Sequence, residues 1–229
     1  MKKVFITGIS GGIGTALAKK YLSEGYTVVG QYNKHLPSVL CESIKCDLSN
    51  KKERDKLCEI LEKKHPDIDI LINNAGADWY GFFTDMSDEE IENLMEINLI
   101  SAIQITKIVG KNMLFRKKGS VLNITSIWGE HGGSCEAVYS ATKGGLISFT
   151  KAIAKEWGLS GVRSNALSLG YIDTPMNAAF TEEDKKEFCQ NVALGRIGTP
   201  EEVANAAFFI TSDAASYITG QIVSVDGGM

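Results

Sequence analysis

Tyr139 and Lys143 stand four residues apart, and of the seven tyrosines only Tyr139 has a lysine at that spacing. A helix stacks such a pair on one face. A free phenol titrates near pH ~10 and is a poor acid or base near neutrality. A cation held beside it stabilises the phenolate and brings that value down. Ser126 lies upstream and follows the apolar run 121–124. It therefore sits where a strand ends, the usual place for a site in a parallel α/β sheet. A hydroxyl there holds a substrate oxygen while Tyr139 delivers or removes its proton. The plain alternative is a surface tyrosine with an ordinary helical neighbour, so the rest of the chain has to supply a cofactor.

Residues 4–6 read as a short buried strand that runs straight into Thr7-Gly8-Ile9-Ser10-Gly11-Gly12-Ile13-Gly14. An amphipathic helix follows, with Ile13, Ala16, Leu17 and Tyr21 on one face and Gly25 as its cap. Strand, glycine-rich turn and helix is the context in which glycines let a backbone approach a pyrophosphate, with free N–H groups at the helix start. The second strand spans 26–30. An acid usually follows it where the adenosine ribose hydroxyls of NAD are bound. Here Gln31, Tyr32, Asn33, Lys34 and His35 supply no carboxylate. An uncharged strand end followed by Lys34 suits a 2′-phosphate, which favours NADP(H) and leaves NAD(H) as the alternative. A merely solvated Lys34 is the competing reading.

Residues 34–43 are short for a crossover helix. A brief strand at 43–46 ends at Asp47, and an amphipathic helix over 50–65 turns Leu57, Ile60 and Leu61 inward. The strand 69–72 runs into Asn73-Asn74-Ala75-Gly76. Ser87 and Glu90 form a capping box. From there the pattern is helical to Phe115, in two pieces meeting near Asn98, a modest helix former placed mid-pattern. Arg116, Lys117 and Lys118 read as solvated cations at a helix end. A strand over 119–125, a helix over 139–157 and a strand over 162–169 follow. A polar stretch then reaches Thr199, with a short substrate lid around 174–199. Thr199 and Pro200 start another helix, and 222–225 is the last strand. The alternation predicts an α/β Rossmann fold in a single domain over residues 1–229. Its seven-stranded parallel sheet is doubly wound, with helices on both faces.

At 229 residues the chain buries a full core in one domain, and a net charge of −4 gives no electrostatic case for nucleic acid. No segment approaches membrane-spanning length, so no membrane partner is expected. The five cysteines form no CxxC pair, and neither they nor the three histidines show metal spacing, so no metal is expected. An odd, scattered set of thiols fits a reducing cytoplasm.

Thr7-Gly8…Gly12-Ile13-Gly14, Asp47, Asn73-Asn74-Ala75-Gly76, Asn98, Ser126, Tyr139…Lys143 and Gly170…Thr174, taken in order, resemble the short-chain dehydrogenase/reductase family over essentially the whole chain. The resemblance implies a Rossmann-fold, NAD(P)-dependent oxidoreductase that assembles as a homotetramer. It implies that Gly8, Ser10, Gly12, Ile13 and Gly14 hold the cofactor phosphates, and that Asp47 and Leu48 meet adenine. Asn74, Ala75 and Gly76 would line the ribose. Gly170, Ile172 and Thr174 would lie at the nicotinamide end, and Asn33 and Lys34 at the 2′-phosphate. Tyr139 would be the acid/base, Lys143 its cationic partner and a ribose contact, Ser126 the substrate-oxygen contact, and Asn98 the anchor of a water in a proton relay.

Three departures stand out: the short crossover at 34–43, Leu169 where the family commonly has proline, and Ser164 where it commonly has valine. The loss of proline is expected to loosen the loop that places Ile172 and Thr174.

Within the family, the run 195–204 and the tail 218–228 look like bacterial 3-oxoacyl-(acyl carrier protein) reductases. This implies a small-molecule or carrier-bound carbonyl substrate and a role in fatty acid biosynthesis. The segments 126–129 and 133–136 look like a subgroup that reduces a 5-aminopentanone group on elongation factor P. Trp128, Glu130, Cys135 and Glu136 fall where substrate walls form. Glu182, Glu183, Asp184 and Glu187 in the lid would suit a cationic amine, or are simply a solvated helix face. An NAD-dependent alcohol or sugar dehydrogenase and a non-catalytic dinucleotide sensor are the further alternatives.

Overall fold

The computed structural model describes residues 1–175 and 181–229. Its seven parallel strands are β1 (Lys3–Ile6), β2 (Thr27–Tyr32), β3 (Glu42–Lys45), β4 (Ile70–Asn73), β5 (Gly119–Ser126), β6 (Val162–Leu169) and β7 (Ile222–Val225), in the order β3-β2-β1-β4-β5-β6-β7. The central strands read as apolar runs because helices cover both of their faces. One face packs Val4, Ile6, Leu122 and Leu167 against α1 (Gly12–Ser23) and α8 (Pro200–Thr211). The other packs Phe5, Leu71 and Val121 against α2 (Lys51–Lys64), α4 (Ser101–Arg116) and α6 (Ala137–Trp157). The chain leaves β1 toward β2 and β3, then returns across it to β4. The crevice between β1 and β4, beyond their carboxyl ends, is therefore the switch point where such sheets bind ligands.

Local chemistry sets the element ends. Gly25, at φ 78°, closes α1: Gly25 N–H donates to Leu22 O and Tyr26 N–H to Tyr21 O, the paired bonds of a Schellman end. Capping boxes at Ser87/Glu90 and Thr199/Glu202 start α3 (Asp88–Met95) and α8. The helical stretch around Asn98 is indeed in two pieces. A π-helical turn at Glu96–Ile100 joins α3 to α4, and Ser101 N–H reaches back five residues to Glu96 O.

Three expectations change. β2 continues to Tyr32 because β3 pairs with it from Val29↔Glu42 to Tyr32↔Lys45, so Gln31 lies inside the strand and is buried. Arg116 is not simply solvated: its guanidinium bonds Asp69 Oδ1 at 2.9 Å and Ile68 O, fixing the start of β4. The segment after Ser126 forms a short helix, α5 (Trp128–His131). The loop after Leu169 is tied down without proline: Gly198 N–H donates to Tyr171 O and Asp173 N–H to Gly198 O, both at 2.9 Å. The expected lid falls partly on residues 176–180, outside the described residues. Its remainder includes α7 (Glu182–Gln190).

Candidate active site

Ser126 is the last residue of β5, paired with Leu169 at the end of β6, and is 7% exposed. Its Oγ accepts from Trp128 N–H at 3.2 Å, which turns the hydroxyl into the crevice rather than along the strand. Tyr139 lies in the first turn of α6, and its phenol faces the Ser126 side chain, which favours the phenolate. Lys143 sits one turn on, with Nζ 5.5 Å from the centre of the Tyr139 ring. The two side chains thus share one helix face and look into the same cavity of about 460 Å³.

Electrostatics in this cavity differ from a reading based on charge alone. Burial pushes the Tyr139 phenol well above the usual tyrosine range; Ser126 opposes this, and the charges of Glu136 and Asp78 add to it. Burial also pulls Lys143 down to about 8. Its ammonium donates to Ile124 O at 3.1 Å. Burial therefore outweighs the other influences on the Tyr139 phenol and favours its neutral, proton-carrying form.

Asn98 is held behind Lys143 by the π turn. Its Oδ1 accepts from Ala77 N–H at 2.8 Å, and its Nδ2 donates to Ala77 O at 2.8 Å and Thr142 Oγ1 at 3.2 Å. Gly76 keeps space open between the two groups: a Cβ there would lie 3.4 Å from Lys143 Nζ and 3.5 Å from Asn98 Oδ1.

The glycine turn after β1 fits a dinucleotide. A Cβ on Gly14 would meet Gly8 O at 2.1 Å, so only glycine lets α1 start this close to the strand. The first turn of α1 holds no acid, and its N-cap Gly11 offers no side-chain acceptor, so neither occupies the N–H groups a phosphate needs. Thr174 stands over the turn, its Cγ2 3.2 Å from where a Gly12 Cβ would be. Ile13, Asn74, Gly76, Ser126, Tyr139, Lys143, Gly170, Ile172 and Thr174 line the one cavity. Gly8, Ser10, Gly12 and Gly14 form the turn beside it. Ala75 N–H donates to Thr7 Oγ1, which joins the Asn74–Gly76 loop to that turn.

Asn33, Lys34, Asp47 and Leu48 do not line the cavity but cluster at the far ends of β2 and β3; Lys34 is exposed and Leu48 buried. Asp47 Oδ1 accepts from Ser49 N–H at 2.9 Å and Ser49 Oγ at 2.8 Å. Of the residues expected as substrate wall, Trp128 and Glu136 line the cavity, while Glu130 and Cys135 do not. Of the lid acids, Asp184 and Glu187 reach it, but Asp184 is already bound to Thr181 Oγ1 at 2.7 Å as a cap.

Three residues escaped the sequence reading. Gln31 accepts from Gly8 N–H at 2.9 Å and donates to Cys46 O at 2.7 Å, bracing the glycine turn from below. Asp78 lines the cavity next to Glu136 in electrostatic terms. Arg54 is 1% exposed, on the same face of α2 as Leu57 and Leu61. Its place in that apolar row was the available signal.

The chain matches the family described as Enoyl-(Acyl carrier protein) reductase over residues 8–229. It is 35% identical to the uncharacterized oxidoreductase YmfI of Bacillus subtilis, over 99% of this chain and 98% of that one. It is 36% identical to the 3-oxoacyl-(acyl-carrier-protein) reductase FabG of Thermotoga maritima, over 100% and 97%. A crystal structure from Beutenbergia cavernae, described as an NAD(P)-dependent gluconate 5-dehydrogenase with NADP bound, superposes with a TM-score of 0.93 at 30% identity, covering 99% of this chain and 95% of that one.

Proposed function

From the premise that this chain belongs to the short-chain dehydrogenase/reductase family of oxidoreductases, we propose that it is an NADP(H)-dependent ketoreductase. Its substrate on this reading is a 3-oxoacyl thioester, free or carrier-bound. The observation that carries the reading is the Ser126–Tyr139–Lys143 face turned into one cavity beside the glycine turn. Bound nicotinamide cofactor supplies the hydride. The chain's own residues do the rest. Ser126 and Tyr139 hold the carbonyl oxygen, and the Tyr139 O–H bond breaks as its proton passes to that oxygen. A neutral, buried phenol is the protonation state that reduction requires. Lys143 offsets the phenolate left behind, and Asn98 lies on the path that returns a proton.

Gly8, Ser10, Gly12, Ile13 and Gly14 would hold the phosphates, and Asn33 and Lys34 the 2′-phosphate. Asp47 and Leu48 would meet adenine. Asn74, Ala75 and Gly76 would line the ribose, and Gly170, Ile172 and Thr174 the nicotinamide. The naming of the Thermotoga relative as a 3-oxoacyl reductase supports the substrate. The 174–199 segment acts as a lid on this reading: Asp184, Glu187, Phe188 and Asn191 of it border the cavity. The free cysteines fit a cytoplasmic enzyme. A homotetramer is the assembly we expect, and sedimentation velocity tests it.

One observation favours a second substrate. Glu136 Oε2 is buried in the cavity wall and meets no hydrogen-bond donor among the described residues. A carboxylate left in that state suits a cationic amine, as in a 5-aminopentanone group on elongation factor P.

The experiment is NADPH and NADH oxidation with acetoacetyl thioester, crotonyl thioester, a 5-amino ketone and 5-keto-gluconate, using wild type and Tyr139→Phe. Turnover of the ketothioester, lowered about 10²–10⁴-fold in Tyr139→Phe with cofactor affinity kept, is the expected result. No turnover with any carbonyl, or an unaffected Tyr139→Phe, overturns the reading.

A further inference from the structure

Arginine is rarely fully buried unless paired, yet Arg54 is the largest fully buried side chain of the described residues. It sits on α2 among leucines and spreads its bonds over three other segments. Nη1 donates to Leu48 O at 2.5 Å, Nε donates to Gln104 Oε1 at 2.8 Å, and Nη2 forms an ion pair with Glu96. A planar guanidinium can serve three directions at once; an ammonium cannot hold that fork.

The partners are not scattered at random. Leu48 belongs to the loop after β3, which meets adenine on the cofactor assignment proposed above. Glu96 is the first residue of the π turn, and Asn98 stands two residues on. Gln104 is one turn into α4. A π turn has poorer intrinsic geometry than an α-helix and relies on its surroundings. Asn98 is gripped from the cavity side by Ala77 and Thr142, and Arg54 grips the same turn from the opposite side through Glu96.

We propose that Arg54 is a positioning residue whose guanidinium anchors the adenine-side loop and the Asn98 turn together. Both ends of the crevice are then set by one buried cation. The link to turnover rests on the ketoreductase reading and the link to cofactor affinity on the assignment of Leu48 to adenine; the link to the order of the turn rests on neither.

The test compares wild type, Arg54→Met, Arg54→Lys and Glu96→Gln. Methionine fills similar space without leaving a buried charge, a replacement that buried ion pairs often tolerate. Three quantities are read: NADPH Kd by tryptophan fluorescence, hydrogen exchange of the 96–100 amides, and kcat with saturating cofactor. In Arg54→Met the Kd rises about tenfold, the 96–100 amides exchange faster, and kcat falls about tenfold, the scale expected when a catalytic group shifts by a fraction of an ångström. Arg54→Lys recovers only part of this. Glu96→Gln lowers kcat and loosens the turn while Kd stays within about twofold of wild type. A lower melting temperature in Arg54→Met with Kd and 96–100 exchange unchanged means the arginine only fills the core, and overturns the proposal. So does an Arg54→Met change confined to one end of the crevice. Should Arg54→Met not fold, Glu96→Gln with unaltered exchange at 96–100 overturns it equally. A wild type that reduces no ketone defeats the reaction reading while Kd and exchange still decide this one.

Discussion

Lys143 should cost the protein stability while it serves the site, and Lys143→Met measures that cost. The side chain is 4% exposed, and burial alone brings it from an ordinary value of 10.5 to about 8. The folded state therefore binds this proton less well than the unfolded chain. Below pH 8 both states carry it, and folding is penalised by the whole difference. Between pH 8 and 10.5 the folded state releases the proton first, so stability rises with pH across that window. At about 1.4 kcal/mol for each pH unit between the two values, the penalty at pH 7 is roughly 3 kcal/mol. Methionine removes it but also removes the bond to Ile124 O, worth about 1 kcal/mol. Lys143→Met should thus be about 2 kcal/mol more stable at pH 7, roughly 4–8 °C in melting temperature for a chain this size, with turnover nearly abolished. Urea denaturation of both proteins at pH 7 and pH 10 is the assay. The difference between them isolates Lys143 and should shrink toward zero at the higher pH. A Lys143→Met protein less stable than wild type at pH 7, or a gap that widens with pH, refutes the reasoning.

Two further outcomes follow from the crevice. Gly14→Ala puts a Cβ 2.1 Å from Gly8 O, a contact only a backbone shift can relieve; about 1–3 kcal/mol of stability and most NADPH affinity should be lost, read by thermal melts with and without cofactor. Lys34→Glu, on an exposed residue, should leave the fold intact and move the NADPH-to-NADH preference about tenfold or more toward NADH in paired kcat/KM measurements, and an unchanged preference removes Lys34 from the 2′-phosphate role.

Much of this architecture could be read from the chain because its signals are local. β1 at Lys3–Ile6 and β4 at Ile70–Asn73 are short, mainly apolar runs that end at turn residues. The Thr199-Pro200…Glu202 start of α8 is a short-range motif that forms as written. The Tyr139/Lys143 face follows from helical period alone, and Ser126 from its place after an apolar run. What could not be read depends on contacts between distant segments. Gln31 looks like a strand end until β3 pairs beside it and buries it against Gly8 N–H. Arg116 looks like one of three solvated cations until β4 places Asp69 within its reach. The Tyr139 phenol was misjudged for the same reason. Nearby charge is visible in sequence, whereas loss of water is set by everything that closes over the site.

The π turn at Glu96–Ile100 also changes the phase of the helix it interrupts. One added residue rotates everything beyond it by about 100° relative to an uninterrupted α-helix. The apolar stripe of α3 and that of α4 are therefore out of step, and each meets a different neighbour. Asn98 occupies the seam between those two phases. Removing one residue there would mend the helix and at the same time turn the asparagine away from the crevice.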